Sequence, residues 1–229
     1  MALNCINSWK NILPEYEYKL WNEDNFDINS VPYVKEAYQV RKFAFVSDYV
    51  RLFALYHEGG VYMDTDVEVL KPLDNLLHLP AFSGFESDKE LPTGIMASEK
   101  NGLWAGEMLE YYHENRHFIK PDGKLDMTTN VQIIGGIMSA NGFVMKNSFQ
   151  NYKNLIYIFP KDYFCPKDRS GKINLTPNTY CIHHFAGTWQ PGSQKIKKFI
   201  FKKILGAGIT ALIVRLKWKL LGVFGIKKR

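Results

Sequence analysis

Residues 47–73, SDYVRLFALYHEGGVYMDTDVEVLKPL, decide how the rest of the chain is read. A largely apolar helical pattern runs as far as His57, two glycines follow, and a short run rich in β-formers ends on Asp64 and Asp66. Glycine just past a helix supplies the left-handed C-cap conformation, so Gly59 and Gly60 mark the helix end. Carboxylates at i and i+2 project from the same side of an extended backbone. At the carboxyl end of a strand in an open α/β sheet, that side faces the crevice where ligands bind. Paired carboxylates in that position suit a hard divalent cation, which in turn neutralises a diphosphate.

Upstream, Val40, Phe43, Val46, Val50 and Phe53 recur at helical spacing, and the other faces are apolar as well. The spacing predicts one well-buried helix over 34–57. Asp48 and Arg51 lie three apart on one face of it. Two readings are open for them: a local ion pair, or a charged pair satisfied by a ligand in the cleft. The pattern further predicts a helix over 3–10 and a strand over 16–21, broken by Pro14, and a turn over 25–30.

Downstream, strands are predicted over 61–63, 67–70, 81–86, 94–98, 155–159 and 180–184. A short helical turn follows Pro72, and 103–115 reads as a helix. Residues 131–140 fit a helix or a strand equally well, and 167–172 read as a loop. Strands interleaved with helices predict an α/β sheet rather than a bundle or a sandwich.

The chain has 229 residues, 46% of them hydrophobic, enough for a sizeable core and a single domain. Cys5, Cys165 and Cys181 are an odd, widely spaced set. They predict neither a disulfide framework nor a zinc site, and they fit a reduced, cytoplasmic setting. No charged segment followed by an apolar stretch opens the sequence, so no secretory signal is read. The formal charge of +6 is not evenly spread: residues 195–229 carry eleven Lys or Arg and no acid, leaving 18 basic and 23 acidic residues before them. An acidic body argues against a globally basic nucleic-acid binder. In the tail, Lys197, Lys198, Lys202 and Lys203 alternate with Phe199, Ile200, Ile204 and Leu205. Its longest uncharged stretch, 204–214, has eleven residues, short of the roughly 20 needed to span a bilayer. The tail therefore predicts a basic amphipathic helix on an anionic membrane surface, with a solvated basic extension as the plain alternative.

Ser47-Asp48-x-x-Arg51, Glu58-Gly59-Gly60-Val61-Tyr62-x-Asp64-x-Asp66 and Leu70-Lys71-Pro72-Leu73 resemble the DXD region of a glycosyltransferase family. That family holds capsular-polysaccharide sugar transferases and the yeast initiating α-1,6-mannosyltransferase, and is distantly similar to clostridial glucosylating toxins. Cys5-Ile6-x-Ser8-Trp9-Lys10, Leu20-Trp21-Asn22-Glu23, Ile95-Met96-Ala97-Ser98 and the late Ile182-His183-His184-Phe185-Ala186-Gly187-Thr188-Trp189 extend the similarity, in family order, over residues 3–190.

The resemblance implies a GT-A-type single domain over 1–194, with a mixed, mainly parallel central sheet flanked by helices, followed by the tail. It implies a retaining enzyme that uses a nucleotide-sugar donor with Mn²⁺ or Mg²⁺. The acceptor expected is a surface or capsular glycan, free or lipid-linked, and the enzyme would sit on the inner face of the membrane. By the same resemblance Asp66 contacts the cation, Asp64 holds the ribose or reaches the metal through water, and Asp48 and Arg51 bind the donor sugar. His184 is implied as the third metal ligand, with His183 its rival. Strand alternation sends those two side chains to opposite faces, so one alone can enter the cleft. Trp189 either closes over the diphosphate or packs in the core. Relatives open with a strand of the form Ile-Pro-Lys-Ile-Ile-His-x-x-Trp, and this sequence begins at the helix after it. The alternative expectation is therefore a truncated, non-catalytic member that binds membrane and partner proteins.

Overall fold

A computed structural model describes residues 1–91, 94–113, 116–168 and 170–187. In chain order the elements are α1 (Ala2–Ile12), α2 (Pro32–Gln39), α3 (Phe43–His57), β1 (Gly60–Met63) and β2 (Val67–Val69). A single 3₁₀ turn (Asp74–Leu76) leads to β3 (Ala81–Gly84), β4 (Ile95–Ser98), α4 (Leu103–His113) and α5 (Asn130–Ala140). Last come β5 (Gln150–Tyr152), β6 (Ile156–Phe159), α6 (Lys161–Phe164) and β7 (Cys181–His183).

Five strands form the central sheet in the order β1-β4-β3-β6-β5, while β2 and β7 pair separately. The sheet is mixed, as expected, but not mainly parallel. Among its neighbours β3 and β6 alone run parallel, and the other pairs are antiparallel. Short connections favour the antiparallel pairs β3–β4 and β5–β6, while β1 reaches its antiparallel partner β4 only after β2 and β3. The parallel pair, β3 and β6, is joined by a long path through β4, α4, α5 and β5. By contrast, β5 returns to β6 through a turn at Lys153 and Asn154, both at positive φ.

The sheet is buried on both faces, and the alternation along its strands shows it. Ala81, Met96, Ile156 and Ile158 pack in one core with α2, α3, α4 and α5. Phe82, Ile95, Ala97 and Phe159 face a second core with Val67, Val69, Phe164 and Cys181. This mixed α/β architecture, helices on a central sheet, is compatible with a GT-A-type fold.

Two local expectations are corrected. The helix predicted over 34–57 is two helices, broken where Arg41 turns left-handed at φ 58 and Lys42 donates back to the Ala37 carbonyl. The edge-to-face contact of Tyr38 with Phe43, centroids 5.5 Å apart, closes that corner. Helical spacing persists across the break because both helices feed the same core. Residues 16–21 form no strand; Tyr18 and Leu20 are exposed there, and without a half-buried surface to pack on, β-propensity has nothing to act on.

The ambiguous stretch at 131–140 is helix α5. Its start is set by a capping box in which the Gln132 side chain accepts from the Thr129 backbone N–H at 3.1 Å. Strand β5 and helix α6 were not predicted, and three- and four-residue elements leave little periodic signal. Trp189 and the basic tail at 195–229 lie outside the described residues.

Candidate metal and donor site

The end of α3 is fixed by Gly59, at φ +75, where a Cβ would meet the Lys100 backbone nitrogen at 2.7 Å. Only a residue without a side chain makes this turn comfortably. The chain then enters β1 at the edge of the central sheet and leaves it to form β2 in the smaller one. Asp64 and Asp66 sit on the passage between the two sheets. Their backbone is a turn rather than the end of an extended strand, with the Val67 N–H donating to the Asp64 carbonyl at 2.9 Å. The Asp64 N–H is held by the Gly94 carbonyl at 2.7 Å, just before β4. On the other side, β7 pairs antiparallel with β2, placing His183 opposite Val67.

Each carboxylate has one oxygen engaged and the other turned toward His183. Oδ1 of Asp64 accepts from the Tyr62 hydroxyl at 2.6 Å and lies 3.4 Å from Arg51 Nη2. Its Oδ2 faces His183 Nε2 at 3.9 Å. Oδ2 of Asp66 accepts from the Ala186 N–H at 2.7 Å, and its Oδ1 lies 3.4 Å from His183 Nε2. The three groups each offer a ligand atom, all within 4.8 Å of one another. Burial alone would raise the Asp66 carboxyl. Hydrogen bonds from His183 and Ala186 outweigh it and hold that carboxyl below its ordinary range.

Behind the pair, α3 supplies a buried charged network. Arg51 Nη2 is 3.3 Å from Asp48 Oδ1, so one guanidinium bridges Asp48 and Asp64. Its plane also lies over the Tyr62 ring, 4.7 Å from the centroid. Asp48 Oδ2 accepts from the Asn130 N–H at the start of α5, at 3.1 Å, and the Asn130 side chain donates to the Asp48 carbonyl at 2.6 Å. Burial pushes the Asp48 carboxyl up to about 6, against the pull of Arg51 and of the Asn130 amide. Of the two readings for the pair, the ion pair is present, and Arg51 also reaches the carboxylate turn.

The two histidines do point apart, and His183 is the one beside the carboxylates. His184, expected there from the resemblance, turns instead to Glu68, its Nε2 2.7 Å from Oε2, while its carbonyl accepts from Lys167 Nζ. Adjacent histidines on a strand of unknown register look alike in sequence; the β2–β7 pairing separates them. Asp48, Arg51, Asp64 and Asp66 are brought together through Arg51 and His183. Sequence reasoning missed Tyr62 and Asn130. Sequence spacing offered a signal for Tyr62, two residues before Asp64, and the Thr129-x-x-Gln132 capping box offered one for the helix start at Asn130.

The arrangement can bind a divalent cation. Two carboxylate oxygens and an imidazole nitrogen form a mixed hard and borderline donor set. Residues 2–82 match the family model described as a glycosyltransferase sugar-binding region containing a DXD motif. The chain resembles the DXD-containing glycosyltransferases, yeast mannosyltransferases among them. It is 24% identical over 212 residues to mannosyl phosphorylinositol ceramide synthase SUR1 of Saccharomyces cerevisiae, covering 87% of this chain and 50% of that protein. Over 91 residues it is 34% identical to inositol phosphoceramide mannosyltransferase 3 of Schizosaccharomyces pombe, 38% of this chain and 26% of the relative. A third relative, glucan organizing enzyme 1 of Cryptococcus neoformans, is 32% identical over 83 residues, 32% of this chain and 23% of its own length. The chain thus spans half the length, or less, of these relatives.

Proposed function

We propose that this protein is a retaining, metal-dependent glycosyltransferase that moves a sugar from a nucleotide-sugar donor to a glycan or lipid-linked acceptor. The observation that carries the reading is the turn between the sheets, where Asp64 Oδ2, Asp66 Oδ1 and His183 Nε2 converge while Tyr62, Arg51 and the Ala186 amide hold the far sides of the carboxylates. Asp64, Asp66 and His183 would hold Mn²⁺ or Mg²⁺; when bound, the cation neutralises charge on the departing diphosphate. Arg51 keeps Asp64 oriented from behind. Asp48, held by Arg51 and the Asn130 amide, would accept from donor-sugar hydroxyls as the resemblance implies. Trp189 remains the proposed cover of the diphosphate. No side chain is assigned as nucleophile. The test is donor hydrolysis by the purified chain, with nucleotide sugars screened in Mn²⁺. Slow, Mn²⁺-dependent release of one sugar is expected, and no hydrolysis of any donor would favour the non-catalytic reading.

Mannose is the first donor sugar to screen, because the yeast relatives are named as mannosyltransferases. Their acceptors, named as inositol phosphoceramides, favour a lipid-borne acceptor over a capsular one. The eleven basic residues of 195–229 would hold the protein on an anionic, inner membrane surface, each contributing on the order of 1 kcal/mol at low salt. No helix among the described residues is long and apolar enough to cross a membrane. Deleting 195–229 is expected to abolish co-sedimentation with phosphatidylserine vesicles at low salt and to leave donor hydrolysis nearly unchanged. Undiminished sedimentation of the truncated protein would refute the membrane role.

A further inference from the structure

The structure assigns Phe185 and Gly94 as positioning residues that together clamp the His183 imidazole, an inference that rests on the metal reading above. A metal-ligating histidine ordinarily has its second ring nitrogen bonded to a carboxylate, a carbonyl or water, which fixes the ring. No protein group among the described residues gives His183 that support: its Nδ1 is buried and without a hydrogen-bond partner there. What sets the ring is packing. Phe185 lies against it with centroids 4.1 Å apart, and the side chain of His183 is 11% exposed. Gly94 also stands against the ring: a Cβ there would come within 2.7 Å of both Nδ1 and Cε1. Ordinary side chains do not approach that closely, so the ring sits where it does because residue 94 has none.

Phe185 acts through its backbone as well. It is at φ 53, an uncommon conformation for a bulky residue. The left-handed turn follows the His184 N–H, which donates to the Asp66 carbonyl at 3.0 Å, and returns the Ala186 N–H to Asp66 Oδ2. One residue therefore connects the ring contact on His183 to the amide that leaves Asp66 Oδ1 facing the same point. Phe185 is 38% exposed, so hydrophobic burial alone does not account for its strained backbone. Gly94 has a matching double role, since its carbonyl holds the Asp64 N–H. Together the two residues orient all three ligand groups.

Mn²⁺ titration of the full chain, followed by electron paramagnetic resonance, tests the assignment. Phe185→Gly keeps the left-handed backbone available and removes the Phe185 ring, while Gly94→Ala pushes a methyl group against the imidazole. Each is expected to weaken Mn²⁺ binding about 10- to 100-fold, the range seen when outer support of a ligand is lost. Each should also diminish the ¹⁴N coupling of a bound histidine, with circular dichroism unchanged. Phe185→Tyr, which restores an aromatic face, should bind as the wild type does. In a His183→Ala background, Phe185→Gly should add less than about twofold, because its effect runs through the missing ring. If His183→Ala weakens binding and both Phe185→Gly and Gly94→Ala bind normally, the clamp is wrong and the metal reading stands. If the wild type binds no Mn²⁺, both fall.

Discussion

Replacing Arg51 with leucine is expected to cost about 3–5 kcal/mol of stability, the range found when one partner of a buried ion pair is removed. The size follows from its position between Asp48 and Asp64, with its side chain 6% exposed. Leucine would leave Asp48 buried beside no cation and Asp64 without its rear support, and uncompensated charge in a low-dielectric site is far more costly than a lost contact. Urea unfolding at neutral pH measures the loss. The double variant Asp48→Asn, Arg51→Leu should recover part of it, since asparagine can still accept from the Asn130 amide and carries no charge. A loss below about 1 kcal/mol in Arg51→Leu would mean that the carboxylates are satisfied without it.

Asp66→Asn is expected to lower donor turnover by at least about 100-fold, the scale of one removed electrostatic contact in an active site. The substitution keeps volume, and its remaining amide oxygen can accept from Ala186 in place of Oδ2. What is lost is charge at the oxygen facing His183. The fold should therefore be intact, and the defect should appear as lost Mn²⁺ dependence in steady-state hydrolysis. Turnover equal to wild type would remove Asp66 from the metal site.

Much of this site was legible because its residues lie close in sequence. Asp48, Arg51, Asp64 and Asp66 fall within 19 positions, on a helix and on the turn that follows the glycine pair and the short strand after it. The remainder depends on pairing. Which histidine faces the carboxylates is decided by the register of β7 on β2, and a shift of one residue would exchange His183 for His184. Strand direction was also hidden, because an apolar strand buried on both faces reads the same whether its neighbour is parallel or antiparallel. Arg41 broke a helix that apolar spacing ran straight through, and nothing in its type announces a left-handed turn. Gly94 and Phe185 gave no signal, since their roles exist only once β4 and β7 are brought to the same turn.

Calorimetry of GDP and of UDP binding to the full chain reads whether Asp64, Asp66 and His183 hold a cation that serves the donor. The site described here predicts that at least one of them binds in millimolar Mn²⁺, that EDTA abolishes the binding, and that added Mn²⁺ restores it in the wild type but not in Asp66→Asn. Equal affinity with and without the divalent cation would contradict the assignment of Asp64, Asp66 and His183 as a metal site that serves the donor.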